Sequence, residues 1–415
     1  MGKSLKILSK SWVRVGGVRI TPPHIVEVVF AVDDKLKRYF KKDYFKIRYS
    51  REISNLPYGI AVIPFVCNVL PILWLTDATL LLDELDEDFF DCIESLKEGY
   101  KAIYPSLAFE GKVVCDKVKY KPIDSEKKSL AFFSGGVDAF ATLIAHINEN
   151  PTLMTICGAD IKLDNTSGWK IVMNQIDGVC SDLNLSSIQC YSNFREFIDE
   201  EKLCELVTIL GAKDDYWHGF QHGIGLISHS APLAWSYGYT THYIASSYTI
   251  RERDICTCAS DPRIDNNMKF CGAKVFHDQF EYCRQEKIKH IVEYCRTNRC
   301  KINLRVCWIS DRGDNCGLCE KCIRTIYALL AEKEDPRNYG FHNVDLLKIK
   351  LLLKYKTKFP DILLPLWDDI INRVKESPKG STQIEWLRRY NAKKLNNVKI
   401  KKMIPIFRRI MKYYC

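Results

Sequence analysis

Uninterrupted apolar segments are missing from this sequence of 415 residues. The most apolar stretch spans residues 59–75, and Pro64, Asn68 and Pro71 interrupt it. Such interruptions favour two buried strands over one membrane-spanning helix. The first residues also lack the apolar core that a secretory signal needs. We therefore expect a cytoplasmic protein without a transmembrane segment.

A strong charge bias, tandem repeats and low-complexity segments are absent too. The net charge of +10 allows an anionic ligand, but residues 393–412 alone hold eight basic residues and no acid. This basic tail supports nucleic-acid binding only weakly, and a docked terminal helix is the alternative. Cysteine, by contrast, is abundant, with 18 residues. Without an export signal, these cysteines indicate free thiols and a metal site rather than a disulfide scaffold.

The apolar pattern divides the chain into three regions. Residues 1–125 predict an N-terminal α+β accessory domain, with strands at 12–15, 25–30 and 45–49 and a helix at 89–104. Residues 126–331 alternate strands with helices, which predicts an α/β domain with a parallel sheet flanked by helices. Residues 332–415 predict a basic helical C-terminal extension, with helices at 344–355 and 362–374.

Segment 130–139 combines a short apolar strand, a glycine turn and the start of a helix. Gly135 and Gly136 permit backbone angles, and a close approach of a ligand, that other residues hinder. The following helix would point its N–H groups at the same spot, which favours a phosphate. Asp138 adds a carboxylate placed to hold Mg²⁺ on a polyphosphate. The segment predicts a nucleotide-phosphate site, and a plain tight connection is the alternative.

Four cysteines late in the α/β region are spaced like the ligands of a zinc knuckle: Cys307, Cys316, Cys319 and Cys322. Gly313 and Gly317 allow the tight turns that a compact knuckle requires. Four thiolates complete a tetrahedral zinc site and leave no open position for a reacting molecule. The spacing therefore predicts a structural zinc ion.

The glycine turn resembles the PP-loop of the ATP pyrophosphatase superfamily, whose pattern is Ser-Gly-Gly-x-Asp-Ser. The matching residues are Ser134, Gly135, Gly136, Val137 and Asp138. The resemblance implies that these residues bind ATP and that Asp138 also serves catalysis. Ala139 stands where the pattern has its last serine, so one hydrogen bond to phosphate would be lost.

Together, the turn and the four cysteines resemble the 7-cyano-7-deazaguanine synthase (QueC) family over residues 129–331. That resemblance implies a PP-loop, HUP-like fold and the cofactors ATP, Mg²⁺ and Zn²⁺. Family enzymes adenylate the carboxylate of 7-carboxy-7-deazaguanine, release pyrophosphate and pass the acyl group to ammonia. Some extended relatives belong to anti-phage defence operons and are thought to join a deazaguanine to a protein amine. We expect a ligase of this kind that forms carbon–nitrogen bonds.

Five further residues are candidates for the nucleotide or substrate site. Asp160 follows the second predicted strand, where the superfamily places the adenosine, although a loop carboxylate is an equal alternative. His222 and Gly223 open a predicted helix whose N-terminus would meet the nucleotide. Arg284 and Lys287 lie in a segment similar to the family's substrate-facing region, where they would neutralise charge in catalysis. Their alternative is an exposed basic helix face.

Other interpretations stay open at this point. Cys256, Cys258, Cys271 and His277 would make a second metal site, but their irregular spacing favours spare thiols. Cys157 in a buried strand is more typical of packing than of a nucleophile. The rival functions are a PP-loop enzyme that modifies tRNA and a non-catalytic nucleotide-binding scaffold. The sequence does not decide whether the chain forms a homodimer.

Overall fold

The computed structural model describes residues 11–53, 55–123, 126–253, 256–307, 309–310, 312–342, 344–355 and 359–396. Its strands are β1 (Trp12–Thr21), β2 (Ile25–Val32), β3 (Tyr44–Tyr49), β4 (Thr79–Asp86), β5 (Lys112–Val118), β6 (Lys128–Phe132), β7 (Thr152–Cys157), β8 (Ser187–Ser192), β9 (Tyr239–Ala245), β10 (Lys269–Phe270) and β11 (Ala273–Asp278).

Its α-helices are α1 (Tyr58–Ala61), α2 (Ile63–Thr76), α3 (Glu87–Ile103), α4 (Val137–Ala145), α5 (Thr166–Leu183), α6 (Glu200–Ile209), α7 (His222–Ile227), α8 (Ala231–Tyr237), α9 (Pro262–Asp265), α10 (Arg284–Asn298), α11 (Glu320–Ala331), α12 (Leu346–Tyr355), α13 (Leu364–Glu376) and α14 (Ala392–Asn396). Short 3-10 turns lie at Lys37–Tyr39, Ile147–Glu149, Ser228–Ser230, Pro336–Tyr339, Asp361–Leu363 and Glu385–Arg389, and a π-helical segment spans Trp217–Gln221.

The chain forms two compact units. The first comprises the residues up to Glu281 together with 312–313, and the second runs from Tyr282 to Ser310 and from Asp314 onward. This division falls neither at residue 125 nor at residue 331, where the apolar pattern suggested boundaries. No division occurs at residue 125 because strands from the first 125 residues and strands from the α/β region form one sheet.

One sheet of 11 strands organises the first unit, in the order β10-β11-β9-β6-β7-β8-β3-β2-β1-β4-β5. The run β11-β9-β6-β7-β8 is parallel, as predicted for the α/β region. From β6 the chain adds β7 and β8 on one side and then crosses to β9 on the other. The carboxyl ends of β6 and β9 therefore flank a topological switch point, the usual ligand site of such sheets.

The strands of the first 125 residues extend this parallel run. β3 pairs antiparallel with β8, where Tyr49 lies opposite Cys190. The predicted strands at 12–15, 25–30 and 45–49 and the predicted helix at 89–104 are confirmed as β1, β2, β3 and α3. Strand β4 lies parallel between β1 and β5, and this part of the sheet was not foreseen.

The prediction of two buried strands in residues 59–75 is wrong, because this stretch forms the helices α1 and α2. Pro64 lies in the first turn of α2, where a missing N–H costs nothing, and Asn68 Nδ2 donates to the Pro64 carbonyl oxygen over 2.8 Å. Side chains all around α2 are buried. A helix that is apolar on every side has no 3.6-residue period that distinguishes it from a buried strand.

The second unit is helical where it is described. Helices α12 and α13 confirm the predictions for 344–355 and 362–374. The buried Glu332 receives two hydrogen bonds from Arg373 of α13, at 2.7 and 2.8 Å. Residues 397–415, which include most of the predicted basic tail, lie outside the described residues. Within the described ranges, none of the helices combines the length and apolar character that crossing a membrane would require.

Candidate functional site

The glycine turn lies at the carboxyl end of β6, beside the switch point. The backbone is anchored at Phe133, whose N–H donates to Met154 O over 2.8 Å and whose carbonyl accepts from Thr155 Oγ1 over 2.7 Å. Gly135 has φ of +76°, a left-handed conformation that residues with a Cβ avoid. A glycine is therefore favoured where the chain leaves β6 and turns into α4.

The start of α4 presents backbone donors beside a carboxylate. Gly136 is the N-cap of the helix, and the described residues supply no side-chain cap there. Ser134 is exposed, and its Oγ accepts from Gly136 N over 3.4 Å. Asp138 lies in the first turn, while Val137 is fully buried and fixes the helix on the sheet. This geometry suits a bound phosphate with its metal ion.

Ala139 occupies a nearly closed position in the same turn, with 5% of its surface exposed. The side chain packs rather than facing open solvent, so a hydroxyl at this position would need a partner in the loop or on a ligand. The five residues Ser134–Asp138 thus form one continuous segment that connects β6 to the first turn of α4. Ala139 follows them in the same turn of the helix.

Asp160 is exposed in the turn after β7, the strand next to β6. It therefore lies on the same edge of the sheet as the glycine turn. Gly158 before it has φ of +103°, and a Cβ there would come within 2.0 Å of Ser192 O. Burial raises the pKa of Cys157 in β7 to about 11, which disfavours this thiol as a nucleophile.

His222 and Gly223 begin α7, as predicted. A Cβ on Gly223 would lie 2.5 Å from both Ala259 O and Asp265 Oδ1, so close packing alone accounts for this glycine. The half-buried His222 ring lies edge-on to Trp217, with ring centroids 5.0 Å apart. The start of α7 is thus packed tightly against the segment that follows β9.

Arg284 and Lys287 lie in the first turn of α10, in the second unit. Lys287 is 1% exposed, and Arg284 is half-buried. The alternative of an exposed basic helix face therefore does not apply to Lys287. Gln285 between them donates to Glu332 Oε1 over 2.8 Å, which ties this turn to the end of α11.

The four predicted zinc ligands converge in the second unit. The Sγ atoms of Cys307, Cys316, Cys319 and Cys322 all lie within 4.8 Å of one another. The structure describes no other group of three or more His, Cys, Asp or Glu that is gathered in this way. Four sulfur atoms at these distances can coordinate one ion tetrahedrally, which suits Zn²⁺ better than harder ions. The cluster could hold such a metal, as the spacing predicted.

Backbone donors surround these sulfurs. The N–H of Cys319 donates to Cys316 Sγ over 3.3 Å, and that of Cys322 donates to Cys319 Sγ over 3.4 Å. Hydrogen bonds with the neighbouring thiols of Cys319 and Cys322 hold the pKa of Cys316 far below its usual range. Donors of this kind stabilise thiolates and orient them toward a metal.

Asn315 is not one of the four candidate ligands, but its side chain links backbone segments on both sides of the cysteine cluster. Its Oδ1 accepts from Val306 N over 2.9 Å, and its Nδ2 donates to Leu304 O over 2.6 Å and to Gly340 O over 3.1 Å. One side chain thus joins the segment before Cys307 to the segment after α11. The amino-acid spacing alone gave no sign of this role.

The alternative second metal site does not form. His277 Nδ1 lies 2.8 Å from Asp265 Oδ2 in a fully enclosed pair, whereas Cys258 Sγ accepts a hydrogen bond from the Ser260 N–H over 3.4 Å. The spare-thiol interpretation holds for Cys271, which is buried. Sequence reasoning missed the contact between Asp265 and His277, because 12 residues separate them and only the fold joins them.

In comparisons with known proteins, no family model and no curated protein match this chain. The resemblance to QueC enzymes therefore depends on short sequence motifs, chiefly the glycine turn and the four cysteines.

Proposed function

We propose that this protein is a PP-loop ATPase of the QueC type. In this proposal it uses Mg²⁺-ATP to adenylate a carboxylate, releases pyrophosphate and passes the acyl group to a nitrogen nucleophile. The substrate is a 7-deazaguanine-type acid, and the acceptor is ammonia or a protein amine. The single observation that carries the proposal is the position of residues 134–138, at the switch point of five parallel strands.

The roles of the residues follow from charge. The backbone N–H groups at Gly136 and in the first turn of α4 would hold the pyrophosphate portion of ATP. Asp138 would bind Mg²⁺, which neutralises charge on the departing pyrophosphate. The open turn at Gly135 lets phosphate approach the main chain without meeting a Cβ. The zinc cluster is a structural element in this proposal and takes no part in the reaction.

A second candidate function is nucleotide binding without catalysis. The observation that favours it is Ala139, since a methyl group replaces the last hydroxyl of the PP-loop pattern. A loop that binds phosphate mainly through backbone groups would retain ATP after losing that hydroxyl. The transition state, by contrast, would lose one donor, which typically costs more in rate than in binding.

Labelled ATP separates these two functions. The protein is incubated with Mg²⁺-ATP, 7-carboxy-7-deazaguanine and ammonia, and AMP, pyrophosphate, ADP and phosphate are quantified. We expect AMP and pyrophosphate in equal amounts, with a loss of at least about 100-fold in Asp138→Asn. The matched control is Asp177→Asn, which changes an exposed carboxylate on α5. ATP binding with no AMP would refute the enzyme and support the scaffold.

A further inference from the structure

Strands β1, β2 and β3 have one buried face and one exposed face. Val13 and Phe45 are fully buried on the core side. Because successive side chains of a strand point to opposite faces, the residues that alternate with the core positions form a second face. A β-bulge between Val15 and Gly17 shifts the register of β1, so Arg19 lies on that face too. This outer face consists of Trp12, Arg14, Arg19, Glu27, Val29, Tyr44, Lys46 and Arg48, all of which are exposed or half-buried.

The strand register gathers positive charge on the outer face. Arg19 of β1 lies opposite Glu27 of β2, which in turn lies opposite Lys46 of β3. Glu27 Oε1 is 3.2 Å from Arg19 Nη1, and its Oε2 is 3.5 Å from Lys46 Nζ. Arg14 lies on one side of this row and Arg48 on the other. Glu27 is the single carboxylate among these four cations, so the outer face attracts anions.

Aromatic rings are interleaved with these cations. The guanidinium carbon of Arg48 lies 4.0 Å from the ring centroid of Tyr191 on β8, and that of Arg14 lies 5.7 Å from the Trp12 ring. Tyr44 is 36% exposed. Unpaired bases stack on aromatic rings and on guanidinium planes, while the phosphates between them pair with cations. The outer face therefore offers both kinds of contact that single-stranded nucleic acid requires.

Helix α5 bounds the outer face on one side. Trp169 of α5 donates from Nε1 to Tyr191 OH over 3.0 Å, and Tyr191 lies opposite Arg48 in the pairing of β8 with β3. The face of β8 that α5 covers therefore continues as the outer face of β3. Residues two apart along a strand are about 7 Å apart, so the rows from Arg14 to Arg48 span about 20 Å. An extended strand fits such a floor beside a helical wall.

Other occupants fit this face less well. The centres of protein–protein interfaces are depleted of charged residues, whereas cations lie throughout this face. Residues 393–412 of the chain itself hold eight basic residues and no acid, so like charge disfavours that segment as a cover. A double helix stacks its bases internally and would leave the aromatic rings unused.

Glu27 favours RNA over DNA. A carboxylate in the middle of a basic face repels phosphate, but it accepts a hydrogen bond from a ribose 2′-hydroxyl. The Glu27 side chain is 20% exposed, so one side of the carboxylate stays open to a ligand. A deoxyribose at the same place would bring no donor to this carboxylate.

We propose that the outer face binds single-stranded RNA. Arg14, Lys46 and Arg48 pair with phosphates, Tyr44 stacks on a base, and Glu27 accepts a hydrogen bond from a 2′-hydroxyl. Binding involves no covalent step. It does not depend on the proposed adenylation, because no residue of the glycine turn belongs to the outer face.

The first test measures the fluorescence anisotropy of a labelled oligouridine of about 20 nucleotides, titrated with the full chain. Excess Mg²⁺-ATP is present to occupy the proposed nucleotide site. We expect the logarithm of the affinity to fall with the logarithm of the salt concentration with a slope of about −3, as for about four neutralised phosphates. Lys46→Gln combined with Arg48→Gln should weaken binding at least about tenfold and flatten the slope by about 1.4.

Lys202→Gln is the matched control for Lys46→Gln. The two lysine side chains are 44% and 45% exposed, and each lies beside a glutamate, but Lys202 is on α6. Lys46→Gln should weaken binding about threefold, and Lys202→Gln should leave it unchanged. Equal effects of the two substitutions would overturn the proposal. A dimer in light scattering that the double variant dissociates would overturn it in favour of an interface between two copies.

The choice of RNA is tested with oligodeoxyuridine of the same length. We expect the unmodified protein to bind oligouridine at least about threefold more tightly, and Glu27→Ala to narrow this difference. Equal affinities of the unmodified protein for the two strands would overturn the assignment to RNA.

The second test locates the bound strand without any variant. Oligouridine that contains 4-thiouridine is irradiated with the full chain, and crosslinked peptides are identified by mass spectrometry. We expect crosslinks on the peptides that contain Trp12 and Tyr44. Crosslinks confined to residues 397–415 would assign binding to the basic tail and overturn the proposal.

Discussion

The two compact units both bury ion pairs but differ in the other polar groups that they enclose. Besides the pair of Asp265 and His277, the first unit encloses neutral imidazoles: the fully buried His229 contacts Gly225 O through Nδ1 at 2.7 Å and Ser192 Oγ through Nε2 at 2.8 Å. The second unit encloses an ion pair and a group of thiols. Glu332, whose side chain is 3% exposed, pairs with Arg373, and four cysteine thiols gather nearby in sequence.

This difference implies that acid and metal removal act on the units by separate routes. Protonation removes the stability that a neutral buried imidazole contributes. The stability that a group of thiolates contributes is removed either by protonation or by loss of the bound metal. The first unit should therefore not respond to chelators, and the second should respond strongly. This contrast can be tested by changes that lower the stability of one unit and leave the stability of the other unchanged.

The largest effect is expected from Cys319→Ser. It removes one of the four candidate zinc ligands, and structural zinc contributes on the order of 10 kcal/mol to the folding of small zinc domains. We expect less than one zinc per chain by elemental analysis, and rapid hydrogen exchange throughout α10 and α11. Cys300→Ser, a cysteine of the same unit outside the cluster, is the control and should retain full zinc. Stoichiometric zinc in Cys319→Ser would contradict the four-ligand site.

Acidification should weaken the first unit next. Burial lowers the pKa of His229 from 6.5 to about 4, and that of His242 likewise to about 4. The unfolded chain takes up these protons near pH 6.5 while the folded unit excludes them, so stability is lost as the pH falls from 6.5 to 4. The loss amounts to roughly 3 kcal/mol for each imidazole at most.

Urea unfolding at several pH values, read from hydrogen exchange in β8 and β9, measures this loss. His229→Gln should be less stable at neutral pH yet show a smaller dependence on pH, because glutamine takes up no proton. A variant with the same pH dependence as the original protein would show that His229 is not the group responsible.

Gly135→Ala should affect the ligand more than the fold. A Cβ at φ of +76° costs about 1 kcal/mol and would also occupy the space where the proposed phosphate approaches the main chain. We expect ATP affinity to fall at least about tenfold by calorimetry. The control is Gly178→Ala on α5, where a Cβ meets nothing within 4 Å. Unchanged ATP binding in Gly135→Ala would remove the main support for the phosphate site.

The smallest effect is expected from Ala139→Ser, which restores the last hydroxyl of the PP-loop pattern. One added hydrogen bond is worth about 1 kcal/mol, so AMP formation should rise by roughly fivefold. The matching measurement is the initial rate of pyrophosphate release at saturating ATP. A slower or unchanged rate would mean that the 5%-exposed position cannot place a hydroxyl on the phosphate.

The cysteine cluster could be predicted from sequence because metal-binding chemistry of this kind depends on residue type and close spacing. Cys316, Cys319 and Cys322 lie within one turn and the start of one helix, so local geometry nearly determines their convergence. The glycine turn was predictable for the same reason, since strand, turn and helix are contiguous. The alternation of elements in residues 126–281 likewise followed from periodicity.

Other features depended on contacts that no local pattern contains. The joining of β3 to β8 could not be foreseen, because hydrogen bonds between strands carry no sequence signal of their partner. Helix α2 was mistaken for strands because uniformly apolar segments have no period. The enclosed pair of Asp265 and His277 left no trace either, because Asp265 lies in α9 and His277 in β11.

The pairing of β3 with β8 also constrains how the chain can be made. Ser50 and Gln189, which are hydrogen-bonded at this junction, are 139 residues apart. During synthesis, β1, β2 and β3 therefore leave the ribosome well before the strand that completes them. Until β8 arrives, β3 presents an open edge on which another nascent chain could pair. A chaperone that covers this edge should raise the yield of native protein more than one that acts after release.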